Sequence, residues 1–444
     1  MYLHGTSIIN EHEHLQIGGC DTTELAATFG TPLYVMDEEL IRKRCREFTQ
    51  AFRASGLKFK VAYASKAFCV MAMCRLIDEE GLDLDVASDG ELYTALQAGF
   101  PAERIHLHGS NKTRNELEMA LDAGIGCIVV DNLMELELLG FLATERNKLV
   151  HILLRVAPGV EAHTHEYITT GNEDTKFGFD LASGAAFHAV KEVAKYPVLK
   201  LLGIHSHIGS QIFEVEGFKL AVDKLVEFAL QVRNETKMEF KVLNLGGGFG
   251  IRYIEGDTPL PVADYIQAMT QDIYSVFTSH HYPVPEIQIE PGRSIVGDAG
   301  TTLYTVGSIK EIPGVRKYVS INGGLTDNPR PALYQAEYEA MLANRGNDID
   351  VELVTVAGKC CESDTLIRDT RLPKANTGDL LAVSCTGAYT YSMASNYNRY
   401  RRPAVVFVKD GTAELVVRRE TYTDLVDHDV IPARLRNEAV ECRG

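Results

Sequence analysis

From Lys58 onward, short apolar runs alternate with amphipathic stretches of helical spacing. The runs are KVAYASK (60–66), LDLDVAS (82–88), RIHLHGS (104–110), CIVVDN (127–132), HILLRVAPG (151–159), LLGIHSHIGS (201–210), KVLNLGGGFG (241–250) and EIQIEPG (286–292). Between them lie GELYTALQAG, TRNELEMALDAG, LMELELLGFLATER, FKLAVDKLVEFALQVRNE and VADYIQAMTQDIYSVF, which read as helices. The alternation predicts consecutive βα units and a parallel sheet. Eight such strands over about 240 residues match the count and size of a closed (β/α)8 barrel. An open doubly wound sheet is the alternative, because a pattern cannot show closure.

After the eighth run the texture changes. Residues 300–444 carry short alternating runs (TTLYTVGSIK, RKYVSING, VELVTVAG, LLAVSCTG, AVVFVKD, AELVVRR) separated by turn residues. They predict a mainly antiparallel β domain of sandwich or barrel type behind the barrel. The strand-like PLYVMD (32–37) could pair with it.

Composition adds exclusions. The chain has 444 residues, too many for one hydrophobic core, so two domains are expected. A formal net charge of -17 argues against nucleic acid or an anionic membrane as the main partner. An anionic substrate would need a locally basic pocket. The N-terminal residues lack a basic segment followed by an apolar run, and no uncharged apolar stretch approaches the length of a membrane span. The nine cysteines have no framework spacing, and Cys360 and Cys361 are adjacent. Free thiols in a reducing cytoplasm are therefore expected.

Barrel enzymes carry their chemistry at the C-terminal ends of the strands, and here polar and glycine residues recur there. The first strand ends in Ser65 and Lys66, the second in Asp85 and Ser88, the third in His108 and Asn111, the fifth in Arg155. The sixth ends in His205, His207 and Ser210, the seventh in Gly246, Gly247 and Gly248, the eighth in Glu290 and Arg293. A lysine in a confined mouth would have its pKa lowered by desolvation, freeing the amine as a nucleophile; a rim ion pair is the plainer use. The triple glycine lets backbone N–H groups approach an anion, although a tight turn would use it too. Ser210 with Gly209 offers a second phosphate-sized hook. A lysine nucleophile beside two phosphate hooks points to a phosphorylated aldehyde cofactor. Glu290 could keep a pyridine nitrogen protonated, or could simply pair with Arg293. His205 and His207, two apart on a strand, share a face. A metal pair is conceivable, but no carboxylate or further histidine is evident at matching strand ends, so no metal is expected. Stacking of the outer ring on a cofactor is the better use. Glu11-His12-Glu13-His14 reads as a solvated turn.

At these residues the chain resembles the diaminopimelate decarboxylase family, within the fold-type III group that includes ornithine and arginine decarboxylases. The resemblance rests on YASKAF, LDVAS, HGSNKT, HTHEYI, KFGF, GIHSHIGSQI, LNLGGGFG, EPGRSIVGDAG, NPRPALY, CCES and GAYTYSMASNYN, in that order over nearly the whole chain. It implies pyridoxal 5'-phosphate as cofactor, carried by Lys66 as a Schiff base, with His207 stacked on the pyridine and Glu290 at its nitrogen. Asp85 should lie near the lysine. Ser210, Gly248 and Tyr389 should hold the phosphate, with Gly246, Gly247, Gly292 and Arg293 completing the cofactor site. Arg293, Arg330, Tyr334 and Tyr389 match substrate-binding positions. Cys361, the candidate proton donor, and Glu362 match residues that a partner subunit inserts, which implies a homodimer with shared sites. The resemblance also implies a barrel over about residues 37–298, with 1–36 and 299–444 forming the β domain.

One departure stands out. The family reads C-E-S-G-D after the thiol, whereas this chain runs Cys361-Glu362-Ser363-Asp364-Thr365 and lacks the glycine. That loop is expected to be displaced or stiffened. Three rival functions follow from the residues: decarboxylation of another basic amino acid, a metal-dependent barrel hydrolase using His205 and His207, and a non-catalytic cofactor-binding protein.

Overall fold

The computed structural model describes residues 1–160 and 176–436; the motif HTHEYI (163–168) lies outside them. All eight expected strands form, as Phe59–Ala64, Asp83–Val86, Ile105–Leu107, Cys127–Val130, Val150–Ala157, Leu199–His205, Val242–Asn244 and Glu286–Ile289. Each pairs in parallel with the next, and the eighth returns to the first with Ile287 opposite Phe59. The barrel is closed, so the open sheet is excluded.

Period-two alternation along these strands decides what the barrel holds. Leu84, Val86, Ile105, Leu107, Leu243, Ile287 and Ile289 pack into the main core shared with the surrounding helices. Their neighbours point the other way. Cys127, Val129, Leu153 and Val242 form a separate small apolar cluster, a plug inside the barrel. Toward the C-terminal ends the inward positions become Asp85, His108, His205, Asn244 and Glu290, all buried. Several strand-end polar residues serve the following helices instead of a site. The Ser88 hydroxyl accepts from Glu91 N at 3.2 Å to cap Asp89–Gln97, and Asn132 caps Leu133–Glu145 through Glu135 N at 2.9 Å.

One long helix of the barrel wall falls outside the βα alternation. Glu38–Ser55 precedes the first barrel strand and buries Leu40, Ile41, Cys45, Phe48 and Phe52. It packs beside Val262–Ser279 and the four-residue helix Arg293–Val296, covering the side of the barrel where the eighth strand has no long helix of its own. Phe52 stacks on Phe59 at 5.1 Å, and Phe48 meets Phe249 edge-on at 5.2 Å. Asp37 starts this helix by accepting from Leu40 N at 3.1 Å, while its other oxygen accepts from Thr6 N at 2.8 Å and Thr6 Oγ1 at 2.7 Å. Asp37→Ala should therefore strip both a cap and a tertiary anchor. The expected cost is about 2–3 kcal/mol, read as a lowered melting temperature, with Asp37→Asn, which keeps only one acceptor oxygen, losing an intermediate amount.

The second sheet is mainly antiparallel. Leu33–Asp37 lies at its centre, antiparallel to Gly300–Ile312 and parallel to Ala404–Lys409, so the early strand does pair with the late ones. From this domain the stretch Gly387–Ser392 reaches over the barrel. Gly387 N donates to Gly297 O at 3.0 Å, and Tyr389 N and Ser392 Oγ both donate to Ala67 O at 2.9 Å. A Cβ on Gly387 would sit 1.7 Å from Val296 O, so only glycine permits this approach. No helix among the described residues is long and apolar enough to cross a membrane.

Candidate active site

A cavity of about 730 Å³ opens where the strand ends of the barrel face the β domain. Lys66, His207, Ser210, Gly247, Gly248, Glu290, Gly292 and Arg293 line it from the barrel, and Arg330, Tyr334 and Tyr389 from the other side. Lys176 and Phe177 of the KFGF motif line it too. Asp85 and Gly246 are buried and are not part of that lining, and Cys361 and Glu362 do not reach it.

Lys66 sits on a single 3-10 turn, Ser65–Ala67, directly after the first strand. Ser65 Oγ donates to Glu91 Oε2 at 2.9 Å and Tyr389 N grips Ala67 O, so the turn is tied on both sides while the lysine side chain opens to the cavity. The expectation of a lowered lysine pKa is corrected here. Burial does act to lower it, but Tyr389, Asp85 and Glu290 outweigh that effect, and the net shift is upward. The amine is thus favoured as a cation by Tyr389, Asp85 and Glu290 around it.

Glu290 is 6% exposed and is not paired with Arg293. Asn244 Nδ2 donates to its Oε1 at 2.7 Å, His108 Nε2 lies 3.0 Å from the same oxygen, and His205 Nε2 lies 3.0 Å from Oε2. Burial alone would favour the neutral acid. His108 and His205 overcome it, and Glu290 is held ionised well below the usual carboxylate range. Burial pushes both histidines down; His205 is hydrogen-bonded to Oε2, whereas His108 Nε2 lies close to Oε1 without hydrogen-bond alignment. Asp85, 3.5 Å from His108 Nε2, is pushed up to about 6, chiefly by burial.

The pairing of His205 with His207 also needs correction. His205 turns inward to Glu290, whereas His207 lines the cavity and its Nδ1 accepts from Gly247 N at 3.2 Å. Burial, then Lys66, hold His207 well below its ordinary pKa, leaving a neutral ring. A carboxylate and a further histidine, Glu290 and His108, do converge on His205, contrary to expectation, with ligand atoms within 4.8 Å of one another. Both Glu290 oxygens already meet N–H groups there, which accounts for the cluster without a metal.

The far wall is cationic. Arg293 Nη2 donates to Ser210 Oγ at 3.0 Å and Nη1 to Tyr253 Oη at 2.5 Å, with its guanidinium 4.9 Å from the Tyr389 ring centroid. Arg330 Nη1 donates to the same Tyr253 oxygen at 3.0 Å and to Tyr338 Oη at 2.7 Å. Burial works against the Arg330 charge, but the Tyr253 and Tyr338 oxygens more than restore it. The glycine turn is built for close packing. Gly248 has φ +109°, and a Cβ there would lie 2.5 Å from Gly209 O, so the two expected phosphate hooks are pressed backbone to backbone. Tyr389 also adopts a left-handed φ of 59°, a costly backbone state for a tyrosine that aims it into the cavity.

Cys361 and Glu362 are exposed, and Tyr397 Oη donates to Glu362. Their loop is anchored rather than loose. Asp364, which follows Ser363 directly in the absence of the glycine, accepts from Leu325 N at 2.9 Å and Cys360 N at 3.1 Å. Tyr253, Tyr338 and Asn244 were not anticipated. Tyr253 and Tyr338 lie on loops and not at the C-terminal end of a barrel strand, whereas the period-two phase of KVLNLGG does point Asn244 inward.

Such a barrel mouth, with a lysine, a held carboxylate, a glycine turn and an arginine wall, defines the class of pyridoxal-dependent decarboxylases. The family model described as the pyridoxal-binding domain of pyridoxal-dependent decarboxylases matches residues 38–297. The diaminopimelate decarboxylase of Halalkalibacterium halodurans is 60% identical, over 97% of this chain and 98% of its own length. That of Bacillus subtilis is 58% identical over the same shares. The crystal structure of diaminopimelate decarboxylase from M. jannaschii superposes with a TM-score of 0.91 at 37% identity, covering 97% of this chain and 99% of that one. A second M. jannaschii structure, in complex with L-lysine, superposes equally well. The chain belongs to the diaminopimelate decarboxylase family of pyridoxal-phosphate-dependent carboxy-lyases.

Proposed function

We propose that the chain decarboxylates meso-2,6-diaminopimelate to L-lysine and CO2, the last step of lysine biosynthesis, in the cytoplasm. The observation that carries this reading is the meeting of the Lys66 amine, the Glu290 anion and the Arg293–Arg330 pair in one cavity. These donors fit pyridoxal phosphate: an amine for the aldehyde, a buried anion for the ring nitrogen, and hydroxyls with glycine N–H groups for the phosphate. When bound, the cofactor supplies an electron sink for the bonding pair that departing CO2 leaves on Cα.

The chain's own residues do the rest. Lys66, with Asp85 near it, would hold the cofactor aldehyde and would yield that place to the substrate amine. The His207 ring, its orientation fixed by Gly247 N, would face the pyridine. Ser210, Gly246, Gly247, Gly248, Gly292 and Tyr389 would hold the phosphate. Arg330 with Tyr334, beside Arg293, binds the substrate's second carboxylate, the one that stays on lysine. Ornithine, lysine or arginine would bring no such second carboxylate and would leave the Arg330 charge unmatched. The chain acts as a homodimer on the barrel-plus-β-domain division at residues 37 and 298. Each copy lends Cys361, whose thiol returns a proton to Cα, and Glu362, which meets the distal ammonium. The exposure of both residues, outside their own chain's cavity, supports this sharing.

CO2 release by the purified protein with added pyridoxal phosphate tests the assignment, with meso-diaminopimelate beside L-ornithine, L-lysine and L-arginine. Release from diaminopimelate alone is expected. Release only from another amino acid would reassign the substrate.

A further inference from the structure

We infer that His108 and His205 are positioning residues that clamp Glu290 as an anion and so set the site's preference for a cofactor with a ring nitrogen. The inference rests on the reading of Glu290 as the partner of that nitrogen.

The geometry is a two-sided clamp. His205 Nε2 is hydrogen-bonded to Oε2 at 3.0 Å, and His108 Nε2 stands 3.0 Å from Oε1 without hydrogen-bond alignment, so the carboxylate is flanked by an imidazole at each oxygen. The two rings meet edge to face at 4.8 Å between centroids, each bracing the other. Asn244 completes the hold from below at 2.7 Å, and its Oδ1 accepts from Gly246 N at 2.9 Å, linking the carboxylate to the glycine turn. All four side chains are buried, and they come from the third, sixth, seventh and eighth strands.

The choice of histidine has a physical reason. A carboxylate taken from water without donors takes up a proton, and a protonated Glu290 could not hold a pyridinium N–H. A lysine or arginine in either place would keep Glu290 ionised but would cancel its field and repel a protonated ring. A neutral imidazole supplies an N–H dipole and no net charge. It stabilises the anion while leaving its charge available to the cofactor, much as outer groups tune a metal's ligands. Asp85, 3.5 Å from His108 Nε2, adds negative potential on the same side.

The test uses equilibrium binding of the apoenzyme to two cofactors: pyridoxal phosphate and its carbocyclic analogue, in which C–H replaces the ring nitrogen. The unaltered protein should prefer the natural cofactor by roughly 10- to 100-fold, the scale of one hydrogen bond to a charged group. Glu290→Gln should bring the ratio to within about threefold of one. His108→Leu and His205→Leu should each cut the ratio at least fivefold by weakening pyridoxal phosphate and barely altering the analogue. His108→Gln and His205→Gln keep an N–H donor and should hold the ratio within threefold. They also serve if a leucine variant does not fold. Leucine variants that weaken both ligands equally, or glutamine variants that lose the ratio, overturn the clamp while leaving Glu290's role intact. A missing preference in the unaltered protein overturns the role of Glu290 and the clamp with it.

Discussion

Lys66→Ala is expected to lower kcat on diaminopimelate by roughly 10³-fold or more, the scale on which loss of a group acting covalently is felt. Lys66→Arg should be as inactive, and that comparison gives the experiment its force. The cavity surrounds this side chain with Asp85, Glu290 and Tyr389, which raise its pKa, so a purely electrostatic role would be kept by arginine. Only a primary amine can take and release an aldehyde. Because Ser210, Tyr389 and the glycine turn remain, the variant should still bind pyridoxal phosphate reversibly. An added small primary amine should restore part of the turnover. A variant retaining near-normal kcat would reduce Lys66 to a rim ion pair.

The second large effect is expected at Arg330. It is buried, shares the Tyr253 oxygen with Arg293 and donates to Tyr338, an arrangement that holds one guanidinium beside another of like charge. Such a pair is stable because the Tyr253 oxygen lies between the cations, and an incoming carboxylate would complete the neutralisation. Arg330→Leu should cost about 3 kcal/mol in transition-state binding, a fall in kcat/KM of roughly 100-fold, carried mostly by KM. A spectroscopic titration with pyridoxal phosphate should be unchanged, since Arg330 makes no cofactor contact in this scheme. A fall confined to kcat would assign Arg330 to the chemistry instead of to recognition.

Much of this architecture can be read along the chain, and the failures have physical causes. All eight strands follow from apolar runs punctuated by turn residues, because a parallel barrel strand is buried on both faces. Closure is invisible, since it depends on the register between Ile287 and Phe59, more than two hundred positions apart. The helix Glu38–Ser55 belongs to the barrel wall although it precedes every barrel strand; its amphipathic pattern gives its type but not its place. For the site, residues at strand ends were legible one at a time. What they do to one another was not. The lysine pKa is not legible from its own strand, because desolvation is local whereas the opposing influences of Tyr389, Asp85 and Glu290 arrive from the β domain and from the second and eighth strands. Similarly, His205 looked like half of a pair with His207 because both sit in one motif. In the fold its partner is Glu290, 85 positions later, and the face it takes follows from strand phase.

The most direct test of the central claim, that the barrel mouth at Lys66 is where pyridoxal phosphate is carried, is reductive trapping. The holoenzyme is treated with borohydride, digested and analysed by mass spectrometry for the pyridoxyl phosphate adduct. A single modification on the peptide containing Lys66, absent when diaminopimelate is added in excess before reduction, is the predicted result. Modification at another lysine, or none on a protein that releases CO2 from diaminopimelate, would contradict the account.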